Sequence, residues 1–535
     1  MVKPCISSKM FLVHLFLVVI ISLFAACKSF EKKPVTTETL FNVIETDITA
    51  IQLAYSEGRL TVKELVENYL DRIEKIDHNG PGLNSVIVVN PDALEIAAEL
   101  DRELKEGKIR GPLHGIPVIL KDNIDTHDKM PTTAGSRALK NSFPIKDSFI
   151  AKKLREAGAV IIAKANLSEW ANFRGQMSTS GWSGEGGQTK NPYDLSRNPC
   201  GSSSGSAVAV AANLTVLAIG TETNGSIVCP SHSNGIVGIK PTVGLLSRTG
   251  IVPISFTQDT PGPMARTVRD AAICLGALTG VDSSDEKTLA SAGRLYQDYT
   301  IFLKDDGLRG KRIGLFTGTF GVNFKVDSLI REAVRFMSGQ GAEIIEIERI
   351  IESKAEDASL EVMLFEYKDG LNKYFASLGD QAPVKSVEEL IAFNEADAQE
   401  LEHFDQKYLE LAQAKSNLNS PDYKKALATM LKLSREEGID RIMDENRLDA
   451  IIAPTGTPAW KTDLINGDSF QFGTSSPAAL AGYPNISVPM GQISGLPVGI
   501  SFFGRAWSEP VLIEIAHAYD IGTRHRAVPE FYESR

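Results

Sequence analysis

The chain has 535 residues, 43% of them hydrophobic, and a formal net charge of −11. That composition excludes bulk disorder, and an acidic chain without a Lys/Arg stripe is a poor nucleic-acid binder. Length alone allows two to four domains or one large α/β enzyme.

Lys3 and Lys9 flank the start of an apolar run, Met10 to Phe24, that ends at Ala25, Ala26 and Cys27. A short apolar core closed by small residues predicts a signal peptide. The run is shorter than the ~20 residues of a membrane span. Cys27 after two alanines predicts a bacterial lipoprotein with its lipid on that cysteine, and such an anchor carries enough acyl chain for stable attachment. The expected organisation is a signal over 1–26, a tether over 27–36 and a folded domain over 37–535. The expected location is the bacterial cell envelope, periplasmic or outer-membrane associated.

Thr61 and Glu64 stand in capping-box spacing, and Val62, Leu65, Val66, Tyr69, Leu70 and Ile73 then recur at helical intervals. Apolar strands are expected at 85–89, 115–120 and 159–166, with helices between them. Helix and strand alternate again over 328–348. From about 355 to 445 the pattern is helical, charged and poor in strands. Strand-like runs return in "LDAIIAP", "NISVPM" and "PVGISFFG", and a helix is expected over 510–522. The pattern predicts an α/β fold with helices covering a buried sheet: one large domain carrying a helical insertion over about 355–445. Once Cys5 leaves with the signal, Cys200, Cys229 and Cys274 remain. Three thiols without framework spacing are read as small buried residues. No metal-binding motif occurs, so neither a metal nor a cofactor is expected. The sequence carries no signal for oligomeric state.

The stretch "CGSSSGSAVAV" (200–210) admits three readings. A flexible linker is disfavoured because six small polar residues run straight into an apolar helix and strand. A G-x-S-x-G nucleophile elbow at Ser203 needs a strand before it, and "NPYDLSRNP" is not one; its histidine would be His517, which sits in a helical pattern. The third reading is a proton relay to a serine elsewhere. The turn Thr221 to Ser226 follows a β-rich run, and Asn224-Gly225 can aim successive N–H groups to one side, as an oxyanion nest does.

Three segments together resemble the amidase signature family: "GPLHGIPVILKDNID" (111–125), "NPCGSSSGSAVAVAANLTVLAIGTETNGSIVCPSHSNGIVGIKPTVGLLS" (198–247) and "QDTPGPMARTVRDAA" (258–272). The resemblance continues through "LDAIIAPTGTPAW" and "LAGYPNISVPMG" and covers nearly everything after about residue 40. It implies an α/β fold with a large mixed sheet covered by helices on both faces. It also implies hydrolysis of carboxamides by a Ser–cisSer–Lys triad. The family lysine matches Lys121 and the nucleophile matches Ser226. The middle serine matches Ser202, 24 residues upstream of the nucleophile. The oxyanion donors match the backbone amides of Thr223, Asn224, Gly225 and Ser226. A lysine acts as base only when neutral, and burial would supply that by lowering its pKa. Ser203 and Ser204 are expected to bond within the loop. Asp122 and Glu222 are read as field-tuning groups or as cap and turn residues.

Asn224 stands where the family usually has Gly or Asp. Val228 replaces an arginine that some members use on a substrate carboxylate, which argues against a small anionic amide such as malonamate. "NLSEWANFRG" with "GWSGEGGQTKNPYD" is most similar to bacterial peptide amidases, which remove the ammonia of a C-terminal carboxamide. Trp170, Phe173 and Trp182 are candidates for the acyl side of the pocket, with core packing as the alternative. The expected partner is a small amide or peptide amide, together with a membrane through the lipid anchor. A cytoplasmic tRNA-dependent amidotransferase subunit does not fit the signal. A fatty-acyl or aryl amidase, or an inactive amide-binding lipoprotein, are the competing readings.

Overall fold

The structure is a computed structural model that describes residue 1 and residues 41–534. The stretches expected to form the signal and the tether, with Cys27, lie outside the described residues. Residues 43–535 form one compact unit. Among the described residues no helix is long and apolar enough to cross a membrane.

Among the described residues thirteen strands occur in chain order: β1 (Val86–Val89), β2 (Pro117–Lys121), β3 (Val160–Ala165), the small ribbon β4 (Trp182–Ser183) and β5 (Gly187–Gln188), β6 (Leu217–Glu222), β7 (Val237–Lys240), β8 (Thr260–Ala265), β9 (Arg312–Phe316), β10 (Glu343–Ile347), β11 (Ala450–Pro454), β12 (Asn485–Ile493) and β13 (Leu496–Phe503). All but the ribbon join one mixed sheet in the order β1-β3-β2-β6-β8-β7-β12-β13-β11-β9-β10. Both ends of the chain thus contribute to one sheet, with the helical stretch inserted between β10 and β11. This is the α/β architecture read from the sequence, with helices on both faces.

Three strands place the site. β2 runs parallel to β3 on one side and to β6 on the other, with Val118 opposite Leu217 and Leu120 opposite Ile219. Every residue of the three is buried, which accounts for their continuous apolar runs. The helix Ser204–Ala211 has no exposed residue, because its alanines and valines leave no polar face. Lys121 and Glu222 end β2 and β6 side by side, at the carboxyl ends of neighbouring parallel strands where open α/β sheets bind ligands.

The insertion is built from the helices Ser353–Ser377, Val387–Ala396, Lys407–Gln413, Pro421–Ser434 and Asp440–Asn446. It packs on the α/β body through a shared apolar cluster in which Tyr367, Leu371, Phe375, Leu390 and Leu409 meet Ala134, Leu139, Trp170, Phe173 and Ile254. The helix Val62–Arg72 opens with the capping box of Thr61 and Glu64.

Candidate active site

Lys121 is fully buried. Its Nζ lies 2.7 Å from Ser202 Oγ, 2.9 Å from Thr221 Oγ1 and 3.3 Å from the Thr221 carbonyl. Burial lowers its pKa to about 7, against the opposing pull of the Asp259 and Glu222 charges. An ammonium there has an acceptor for each of its three protons. The free amine has a lone pair to take the hydroxyl proton of Ser202. Thr221 Oγ1 also accepts from Asn123 Nδ2 at 3.0 Å, so the lysine's partner is itself held.

Ser202 follows a cis peptide bond from Gly201, and its carbonyl accepts from Ser168 N at 3.1 Å. The next residue joins the two serine segments, since Ser203 N donates to the Ser226 carbonyl at 3.1 Å. The remaining serines tie the loop down. Ser203 Oγ donates to the Thr221 carbonyl (3.1 Å), Ser204 Oγ to the Cys200 carbonyl (2.7 Å) and Ser206 Oγ to the Ile219 carbonyl (3.2 Å). Ser203 is no elbow nucleophile: no strand lies between Gln188 and Ser203, and His517 Nε2 faces Asp305 at 3.2 Å instead.

The Ser226 turn is braced from both ends. Glu222 Oε2 accepts from Ile227 N (2.8 Å) and Val228 N (3.0 Å), capping the short helix Val228–Ser233. Thr223 Oγ1 donates to Asp259 Oδ1 at 2.5 Å, and Asp259 Oδ2 accepts from Ile254 N and Ser255 N, both at 2.8 Å. Gly225 takes the left-handed backbone of the turn, φ +87°, which leaves Asn224 a conformation any residue adopts. The Asn224 side chain bridges outward to Ser475 Oγ (2.7 Å) and Ser476 Oγ (3.2 Å). The N–H groups of Asn224, Gly225 and Ser226 have no acceptor among the described residues. They form a donor nest beside a serine that is 8% exposed.

Cys200 and Cys229 form a disulfide, with Cα atoms 6.0 Å apart. This overturns the reading of both as simple buried thiols; among the described residues only Cys274 is a free, buried cysteine. A separation of 29 residues carries no framework signal, but β6 returns the chain so that the residue two before Ser202 meets the residue three after Ser226. The bridge ties the two serine segments together.

A cavity of about 420 Å³ opens beside this turn, with Gly201, Asn224, Gly225, Val228 and the disulfide in its wall. Asn172 and Gly175 to Ser178 form another part, Tyr408 of the insertion a third, and Trp460, Asp468 and Phe470 a fourth. Trp170, Phe173 and Trp182 do not line it. Trp170 meets Phe375 edge-on, and Trp182 packs on Phe404 and His403. Phe173 stacks on Tyr408 with ring centres 4.6 Å apart, so it supports a lining residue from behind. The rings face the insertion helices because that is where apolar surface awaits them. The same segment reaches the cavity through its small and flexible residues.

No local pattern marks Thr221, Asn123 and Asp259 as supports of the site. Thr221 lies in the quoted turn, but nothing local shows that it faces the lysine. Asp259 reaches the turn from 33 residues beyond Ser226.

A family model described as "Amidase" matches residues 64–513. The chain belongs to the amidase family. The native peptide amidase from Stenotrophomonas maltophilia superposes with a TM-score of 0.88 at 50% identity, over 91% of this chain and 99% of that one. A peptide amidase in complex with the competitive inhibitor chymostatin gives 0.89 with the same identity and coverage. A probable amidase of Arabidopsis thaliana is 44% identical over 504 residues, 92% of each chain. This amidase is therefore a serine-hydrolase-type enzyme acting on carboxamide C–N bonds.

Proposed function

We propose that this amidase removes the C-terminal carboxamide of peptides, through an acyl-enzyme on Ser226, outside the cytoplasm. The carrying observation is the buried Lys121 held 2.7 Å from Ser202, next to the turn that presents Ser226. Ser226 Oγ attacks the amide carbon and passes its proton to Ser202, which passes its own to the neutral Lys121. The oxyanion sits on the N–H groups of the 223–226 turn. Collapse breaks the C–N bond, and the lysine's proton returns through Ser202 to the departing nitrogen, releasing ammonia. Water, deprotonated by the same relay, then attacks the ester and frees the peptide acid and Ser226.

The peptide-amide substrate is supported by the likeness to peptide amidases at 50% identity and by a cavity large enough for a residue side chain. The location is supported by the signal pattern ending at Cys27 and by the Cys200–Cys229 bridge, since disulfides persist in oxidising compartments. A panel of peptide carboxamides, long-chain amides and anilides tests the substrate: highest kcat/KM on the peptide carboxamides is expected, and preference for either other class overturns the reading. Metabolic labelling with an alkynyl fatty acid tests the anchor. Lipid incorporation lost in Cys27→Ser is expected, and an unlabelled wild-type chain rejects it.

A further inference from the structure

Asp468 is the one charged residue among the described residues lining the acyl cavity. It belongs to a segment without helix or strand after β11, yet it reaches back to the body of the protein. Ser180 N approaches both carboxylate oxygens at 3.1 Å, and Ser180 Oγ reaches Oδ2 at 2.5 Å. Trp460 Nε1 (3.0 Å) and Asn198 Nδ2 (3.3 Å) both donate to Oδ1. Burial raises the pKa of Asp468, and the donors from Ser180 and Trp460 oppose that shift by favouring the ionised, acceptor-only carboxylate. Its hydrogen-bonding capacity is largely spent on the wall, so what a substrate meets is its charge. At Val228, where an arginine would reverse that charge, the cavity is apolar.

Other charges stand nearby without entering the cavity. Arg197, Lys461 and Asp463 line an adjoining depression, which shares Trp460, Asn466 and Asp468 with the cavity. Arg197 lies 3.5 Å from Asp194, and Lys461 is exposed, where salt screens it. Behind the Ser226 turn the buried acids are Glu222 and Asp259. The charge that the cavity wall itself presents is therefore that of Asp468.

We propose that Asp468 is a specificity-determining residue that selects peptide amides by charge, favouring acyl groups with an ammonium or guanidinium over acyl groups with a carboxylate. The inference rests on the peptide-amide reading above. A carboxylate on the acyl group meets a like charge in the cavity wall, where no cation lines the cavity among the described residues, whereas a cation is drawn in.

The test compares kcat/KM for N-acetylated dipeptide amides ending in arginine, glutamine or glutamate, at low and at high salt, in the wild type and in Asp468→Asn. The arginine amide is expected to exceed the glutamate amide by about tenfold or more. High salt should shrink that ratio, and Asp468→Asn should bring it to within about threefold, with the glutamine amide as internal reference. Loss of the wall contacts alone would slow all three amides and leave the ratio standing, which overturns the proposal. A salt-independent ratio, or a wild type that prefers glutamate, overturns it without recourse to a variant. Turnover of the glutamine amide with no charge preference rejects the inference alone. No turnover of any peptide amide rejects the reading beneath it.

Discussion

The two walls of this active site are made in different ways. The chemical wall comes from three short segments: the end of β2, the serine loop and the turn after β6. Each is contiguous in sequence, and the neighbouring parallel strands bring their ends together. The acyl wall draws on Asn172, residues 175–178, Tyr408, Trp460, Asp468 and Phe470, and only the insertion and the loops after β11 bring these together. The bond that is cut is thus set by local chain, and the group beside it by long-range packing. Changes on the first wall should abolish turnover, and changes on the second should redistribute it.

The largest effect is expected from Ser226→Ala, which should lower hydrolysis by about four orders of magnitude or more and end labelling by a fluorophosphonate. Labelling that persists at Ser203 would shift the chemistry to the wrong serine. Lys121→Ala should cost about 10²- to 10⁴-fold in acylation. In the wild type, the lysine is protonated and inactive as a base below its pKa of about 7. Activity should therefore rise with pH through that value and hold above it. A profile that falls on the alkaline side would contradict a lysine base.

The disulfide belongs to both walls. Cys200→Ser with Cys229→Ser should lower kcat about tenfold, because the serine loop and the nucleophile turn lose their covalent tie, and should cost about 2–5 kcal/mol of stability. Rate and melting temperature measured together separate the two effects. The smallest change is expected on the acyl wall. Tyr408→Ala or Phe470→Ala should raise KM a few-fold for amides with large side chains and leave turnover of glycinamide derivatives near the wild type. Equal losses on both substrates would mean that these rings hold the chemical wall as well.

Legibility follows the same division. Lys121, Ser202 and Ser226 were named from motifs, and the structure brings Lys121 to Ser202 and the serine loop to the Ser226 turn. The helix Ser204–Ala211 and β6 were visible as one uninterrupted apolar run. β8 was not visible. Thr260–Ala265 carries Pro261 and Pro263, which read as breakers, yet it lies inside the sheet between β6 and β7. Alternate prolines remove N–H groups from one edge only, and β7 pairs with β8 only at Met264 and Ala265. The aromatic rings were visible as residues but not by destination. Trp170 and Trp182 pack on rings of the helical insertion more than 200 residues later, and no local pattern encodes that meeting.

One consequence of the Cys200–Cys229 bridge concerns how the enzyme would be classified at the bench. Cys229 is partly exposed and faces the same cavity as the nucleophile turn. Protein made in a reducing cytosol would present two thiols there, and an alkylating reagent that caps Cys229 would obstruct the cavity without touching Ser226. Sensitivity to iodoacetamide would then imitate a cysteine hydrolase. The oxidised enzyme would ignore the same reagent, so the inhibitor profile would report where the sample was made, and only the fluorophosphonate would report its chemistry.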